Sequence, residues 1–330
     1  MSHGVADGSF LRKKKKHNPT MEAVPGYTLI NVLGQGSFGC VFKARHELTG
    51  KECAIKVAKP KHYHKEAIER EIVILRAMTR GASGCVPALL DSGQLEDKAG
   101  CKRVWMATEL AENGDLYHLM KRRVKTLPKG EPLFTDLEIL RVASTVLTVL
   151  MSTPFAFRIH GDLKLENIVM YANGTFRVID MGLSEFMGGL AQWRELGTPG
   201  FSPPESIMYR EYMVDRTADI WMLGATLYEL AVERVMVKKG HDDRFGSEEY
   251  IRRLMLVMGP PEERMVCDPA RLRPNLRRLF GKKEVTINRR SLDSDIDKRG
   301  AKVKALIYRC CQWDPAARAN LNDLFRVTIE

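Results

Sequence analysis

The chain has 330 residues, 44% apolar and 28% charged, with a formal net charge of +11. That balance is typical of a folded soluble protein, and the length suggests about two lobes with a core that needs no disulfide staples. The seven cysteines are an odd number and form no C-x-x-C pair, which argues against a disulfide framework or structural zinc and for a reducing interior. No stretch approaches the roughly 20 apolar residues of a membrane span. The first 22 residues hold no signal-peptide core, and Ser2 removes the myristoylation pattern. An intracellular protein, cytoplasmic or nuclear, is expected.

Residues 1–22 read as a basic tail, in which Arg12-Lys13-Lys14-Lys15-Lys16 is either an import signal or acidic-partner contact, or a solvated disordered run. Strand character begins at residues 27–33, pauses at the glycine-rich turn 34–39, and resumes at 40–44 and 52–57. Residues 65–78 have helical spacing, with Ala67, Ile68, Ile72 and Leu75 on one face. Strand-like runs near 87–90 and at 103–110 complete a sheet-rich first lobe, 23–110. After Glu112-Asn113-Gly114 the pattern is mainly helical, at 137–151, 218–232, 250–258 and 303–311, giving a second lobe, 111–330. Residues 259–300, rich in Pro, Arg and Lys, read as a surface insert. The basic residues Arg271, Arg273, Arg277, Arg278, Lys282, Lys283, Arg289 and Arg290 have only Phe280 interleaved, so nucleic-acid binding is not expected.

Gly34-x-Gly36-x-x-Gly39-x-Val41 lets backbone N–H groups approach phosphate oxygens closely. A dinucleotide-binding loop shares G-x-G-x-x-G, but it needs a helix directly afterwards and an acid about 20 residues on. Here a strand follows, and the position 20 after Gly39 is Lys59. Cys40, inside the loop, is either a reactive thiol or a small strand residue. Lys56 follows in Ala54-Ile55-Lys56, where a point charge suits phosphate. On the helix behind it Glu71 is the preferred partner, because it precedes Ile72 on the core-facing edge; Glu66 and Glu69 are its rivals.

Together these features resemble the eukaryotic protein kinase family, over about residues 27–327. The family has two lobes, a small antiparallel sheet with one main helix and a larger helical lobe, an α+β fold. The resemblance implies ATP with Mg²⁺, or Mn²⁺, as the bound pair. It assigns ATP contacts to Leu33, Gly34, Gln35, Gly36, Ser37, Phe38, Gly39, Val41, Ala54, Lys56 and Val169. Thr108 stands at the back of the pocket, Glu109, Leu110 and Ala111 form the hinge, and Asp115 is either a ribose contact or a helix N-terminal acid.

His160-Gly161-Asp162-Leu163-Lys164-Leu165-Glu166-Asn167 resembles the family's catalytic loop. By that likeness Asp162 accepts or orients the substrate hydroxyl proton, Lys164 neutralises the transferring phosphate, and Asn167 binds metal. Asp180-Met181-Gly182 resembles D-F-G, with Asp180 the second metal ligand and Met181 replacing phenylalanine. Glu205 is expected to pair with Arg318, and Asp219 to brace the catalytic loop beside His160. Lys164 and Thr198 match the serine/threonine pattern. The residue before Asp162 is usually arginine, the partner of an activation-loop phosphate; here it is Gly161, and Ser184 is the one hydroxyl between Asp180 and Thr198. Activity without activation-loop phosphorylation is therefore expected. Asp115, Glu166 and Glu229 fall where basic-directed kinases hold substrate arginines, which implies protein substrates with basic residues near the phosphosite. No subfamily is assigned. A nucleotide-binding pseudokinase scaffold is the alternative, opposed by the presence of Lys56, Asp162, Asn167 and Asp180.

Overall fold

The computed structural model describes residues 23–78, 84–97, 100–192, 196–237, 248–268, 270–280 and 292–330. The basic run at 12–16, Arg194 and Glu195, and Lys282, Lys283, Arg289 and Arg290 fall outside them.

The alternating N-terminal runs form β1 (Tyr27–Gln35), β2 (Gly39–His46), β3 (Glu52–Ala58), β4 (Leu89–Glu96) and β5 (Lys102–Glu109). They make one antiparallel sheet in the order β1-β2-β3-β5-β4. Residues one apart along a strand face opposite sides. In β3, Cys53, Ile55 and Val57 join Tyr27, Phe42 and Trp105 in a small outer core, while Ala54 and Lys56 face the other way. Cys40 is buried in β2, paired with Val57, so its place is that of a small strand residue.

β4 differs from expectation. It starts at Leu89 and continues to Glu96 through Asp91-Ser92-Gly93-Gln94, a polar stretch that an edge strand tolerates. Gly93 is required there, since a Cβ would sit 2.9 Å from the Trp105 ring. Between β3 and β4 lies α1 (His62–Met78), which begins three residues before the predicted start and buries Ala67, Ile68, Glu71, Ile72 and Leu75.

The second lobe contains α2 (Leu116–Thr126), α3 (Asp136–Met151), β6 (Arg158–Ile159), β7 (Ile168–Met170), β8 (Phe176–Val178), β9 (Glu185–Phe186), β10 (Leu190–Gln192), α4 (Pro204–Met208), β11 (Glu211–Met213), α5 (Arg216–Val232), α6 (Glu248–Met258), α7 (Glu263–Val266), α8 (Pro274–Phe280), α9 (Leu292–Ile296), α10 (Ala301–Cys310) and α11 (Leu321–Ile329). A capping box fixes the start of α3: Thr135 accepts the Glu138 N–H, and the Glu138 carboxylate accepts the Thr135 N–H. Helix α5 is buried almost throughout, with Trp221, Leu223, Leu227 and Tyr228 inside the core.

Residues 259–300 are surface only in part. Met265, Leu272, Leu276, Leu279, Leu292 and Ile296 join the main core. Arg273 turns inward and donates to the Ser206 and Tyr209 carbonyls at 2.7 and 3.2 Å, capping α4, and Arg271 stacks on Tyr209. Those two arginines are committed to the fold. No helix among the described residues is long and apolar enough to cross a membrane.

Candidate active site

Lys56 reaches across the cleft side of β3 to two carboxylates. Its Nζ donates to Glu71 Oε2 at 2.7 Å and to Asp180 Oδ1 at 2.8 Å. The rivals of Glu71 are occupied elsewhere: Glu66 meets His62 and Glu69 meets Lys65, all on the outer face of α1. Burial alone would push the Lys56 ammonium down, but Asp180 and Glu71 outweigh it and hold the pKa above the ordinary lysine value. Burial raises Glu71, against the pull of Lys56.

Strand β3 and helix α1 together grip the segment after β8 at three successive residues. Lys56 binds Asp180, Glu71 accepts the Met181 N–H, and Arg70 Nη1 donates to the Gly182 carbonyl at 2.6 Å. Met181 is fully buried, as the phenylalanine it replaces would be. Asp180 has φ 63°, a left-handed backbone that an aspartate adopts more readily than most residues. Arg70 escaped the sequence reading; its only signal was adjacency to Glu71.

The catalytic loop forms a second cluster. Thr198 Oγ1 donates to Asp162 Oδ1 at 2.6 Å and accepts from Lys164 Nζ at 2.6 Å. Lys164 Nζ also binds Asp162 Oδ2 at 2.6 Å, and Asn167 Nδ2 donates to the Asp162 carbonyl at 2.8 Å. Beneath the loop, buried Asp219 accepts the N–H groups of His160 and Gly161 at 2.6 and 2.9 Å. Desolvation raises the Asp219 pKa. His160 Nδ1 accepts the Asp162 N–H, which leaves Nε2–H to donate to the Ile179 carbonyl at 3.2 Å.

The residues present fit a magnesium ion. Because Asn167 spends its amide nitrogen on Asp162, its carbonyl oxygen remains a hard ligand, and Asp180 offers a second carboxylate oxygen beyond the one held by Lys56. The Ile179 N–H bonds the main-chain carbonyl of Asn167, not its side-chain oxygen, at 2.9 Å and ties the two ligand segments together. No cluster of three or more His, Cys, Asp or Glu suited to a metal occurs among the described residues.

Gly161 has φ +80°, and a Cβ there would lie 3.2 Å from the Leu183 carbonyl. Gly161→Arg is therefore expected to cost about 1–2 kcal/mol, read as a lower urea midpoint with unchanged slope. Ser184 is 0% exposed and donates its hydroxyl to the Ile159 carbonyl at 2.7 Å. At the end of this segment Glu205, on α4, takes a two-pronged bond from Arg318 at 2.8 and 2.6 Å.

Thr108 pairs with Ala54 across β5 and β3, and Val169 lies on β7, so these residues singled out from the sequence are carried by both lobes. The Glu109 carboxylate accepts the Ala88 N–H at 2.9 Å and binds Arg177, whose guanidinium stacks 4.1 Å from the Tyr171 ring centre. Arg177, on β8, thus ties the second lobe to the hinge, a long-range link with no sequence signal. Asp115 caps α2: Oδ1 accepts the His118 N–H and Oδ2 meets the His118 ring. The Glu166 and Glu229 carboxylates each keep a buried Oε2 without a hydrogen-bond partner among the described residues.

A sheet lobe whose phosphate loop and lysine overhang a helical lobe carrying the aspartate–lysine–threonine cluster is the architecture of a protein kinase. The protein kinase domain model matches residues 27–328, and the chain belongs to that family. Among curated relatives, mouse serine/threonine-protein kinase 36 is 29% identical over 62% of this chain and 15% of its own length. The probable serine/threonine-protein kinase MARK-B of Dictyostelium discoideum is 30% identical over 68% of this chain and 30% of its own. Rat RAC-beta serine/threonine-protein kinase is 29% identical over 63% and 41%. The chain thus spans between about a seventh and two fifths of the length of these relatives.

Proposed function

We propose that this chain transfers the γ-phosphoryl group of ATP to serine or threonine hydroxyls of protein substrates. The observation that carries the reading is the Asp162–Thr198–Lys164 cluster, with Lys56 locked to Glu71 and Asp180 above it. Asp162 orients the substrate hydroxyl and takes its proton as the oxygen attacks the γ-phosphorus. Lys164 offsets the charge on the moving phosphoryl group, and Lys56 steadies the phosphates of the departing ADP. Asn167 and Asp180 would hold the divalent cation, which when bound neutralises phosphate charge. A transfer assay on a basic protein substrate tests the reading; wild type no more active than Lys56→Met would favour the pseudokinase scaffold.

Activity without activation-loop phosphorylation is supported by Ser184, the sole hydroxyl between Asp180 and Thr198, whose burial keeps it from a modifying enzyme. Unphosphorylated protein is expected to be active, and Ser184→Ala to stay within about fivefold of it, since one neutral hydrogen bond is worth about 1 kcal/mol. Protein that stays inert until mass spectrometry finds an added phosphate would sink the idea.

A preference for arginine near the phosphosite is supported by the orphan oxygens of Glu166 and Glu229. Burial, then the Glu166 carboxylate, push the Glu229 pKa up to about 8. A guanidinium fork would supply the missing partner to both. Because the folded protein holds a proton that the unfolded chain releases near 4.5, stability falls as pH rises from about 4.5 to about 8. Glu229→Gln is expected to remove that fall, stabilising the protein by about 1–3 kcal/mol at pH 8. It should also raise KM for an arginine-bearing peptide by about tenfold. Urea titrations across pH and peptide kinetics check the two halves.

A further inference from the structure

At the tip of the glycine loop, between β1 and β2, three consecutive carbonyls bond to one residue. The Lys59 N–H donates to Phe38 O at 2.9 Å, and Lys59 Nζ donates to Gly36 O at 2.6 Å and to Ser37 O at 3.3 Å. The peptides are trans, and a trans peptide is planar, with its C=O and the following N–H pointing in opposite directions. Holding these three carbonyls therefore turns the N–H groups of Ser37, Phe38 and Gly39 away from Lys59.

The direction they turn follows from β3. Cys53, Ile55 and Val57 face the outer core and Lys56 faces the cleft; by the same alternation Lys59, one residue past the strand, falls on the outer side. The N–H groups of Ser37 and Phe38, whose peptide carbonyls meet the Lys59 ammonium, are thereby aimed at the Lys56 side, while the Phe38 carbonyl meets the Lys59 N–H in the plane of the sheet. Consecutive N–H groups aimed one way make a concave anion site, and an ammonium on the carbonyl ends polarises them further.

Lys59 is itself held in place. Its carbonyl accepts the Lys61 N–H at 2.8 Å, at the entry to α1. The His64 ring, 5% exposed, lies against the Lys59 backbone, and Phe38 meets that ring edge-on at 6.1 Å. One residue thus joins the loop to the helix that carries Glu71.

We propose that Lys59 is a positioning residue for the nucleotide: it sets the peptide planes of residues 36–38 so that the Ser37 and Phe38 N–H groups meet the polyphosphate. The assignment rests on the kinase reading above and concerns the phosphates alone, not the base. The test is calorimetric titration of the full chain with ATP and, separately, with adenosine. Lys59→Ala is expected to weaken ATP by about tenfold and adenosine by less than about twofold, as losing a charged donor to the loop predicts. Lys59→Arg should restore ATP binding to within about threefold of wild type. Lys59→Met, which keeps the aliphatic stem, serves should Lys59→Ala not fold. Amide exchange at residues 37 and 38 should quicken in the variants that lose the charge. ATP binding unchanged by Lys59→Ala or Lys59→Met, or an equal loss of ATP and adenosine, would overturn the assignment while the kinase reading stands. Wild type that binds neither ligand would overturn that reading and this one with it.

Discussion

Asp162→Asn is expected to lower kcat by about 10²–10⁴-fold, the usual worth of a positioned general base, while ATP affinity stays within a few-fold. The contrast follows from the cluster. Asp162 Oδ1 accepts from Thr198, and Oδ2 accepts from Lys164 and from Asn167 Nδ2 at 3.2 Å. An amide of the same shape has one acceptor and one donor, so it must present N–H to at least one group that is itself a donor. The proton acceptor is lost and Lys164 loses its opposite charge, keeping Thr198 as a partner, yet nothing in the phosphate loop or hinge is touched. Lys56→Met is a harsher change, since it leaves Glu71 and Asp180 facing each other without the ammonium between them. Steady-state transfer to a basic peptide, paired with nucleotide titration, checks the split. An Asp162→Asn enzyme with a tenth or more of wild-type kcat would mean that another group takes the proton.

Arg318→Ala should cost about 3–5 kcal/mol of folding free energy, the range for orphaning one member of a buried ion pair. The Arg318 side chain is 0% exposed and that of Glu205 6%. Beyond the bidentate bond to Glu205, Arg318 donates to the carbonyls of Thr217 and Gln312 at 2.8 and 3.0 Å, and it lies over the Trp221 ring. Truncation therefore strands a carboxylate, two carbonyls and an aromatic face together. Removing both charges, Glu205→Leu with Arg318→Met, should recover part of the loss, because the carboxylate is no longer unpaired while the carbonyls still are. Urea midpoints of the two single variants and the double variant measure this. An Arg318→Ala protein within about 1 kcal/mol of wild type would mean that water reaches Glu205.

The parts of the site carried by short runs were legible in the sequence. Glu71 was separable from Glu66 and Glu69 because helical spacing puts it on the buried edge with Ile68, Ile72 and Leu75. The Glu205–Arg318 and Asp219 contacts came from family likeness, and the geometry brings those side chains together. What could not be read was long-range or polar. Strand β4 carries no alternation, since its edge position relaxes the need for it. Arg70, Arg177 and Lys59 bond backbone or distant side chains, and composition gives no sign of such partners. Asp115 offered two roles in the sequence, and of these the structure displays the helix cap on His118. Residues 259–300 looked like surface because Arg and Pro dominate, yet Arg273 earns its buried place by capping a helix.

The sealed Ser184 and the glycine at 161 bear on how such an enzyme is controlled in the cell. On the proposed reading it is competent as soon as it folds, with no maturation step on this segment. Its output would then follow how much of it is made, where it is held and how long it lasts. A phosphatase, the usual antagonist of an activated kinase, would find no mark between Asp180 and Thr198 to erase.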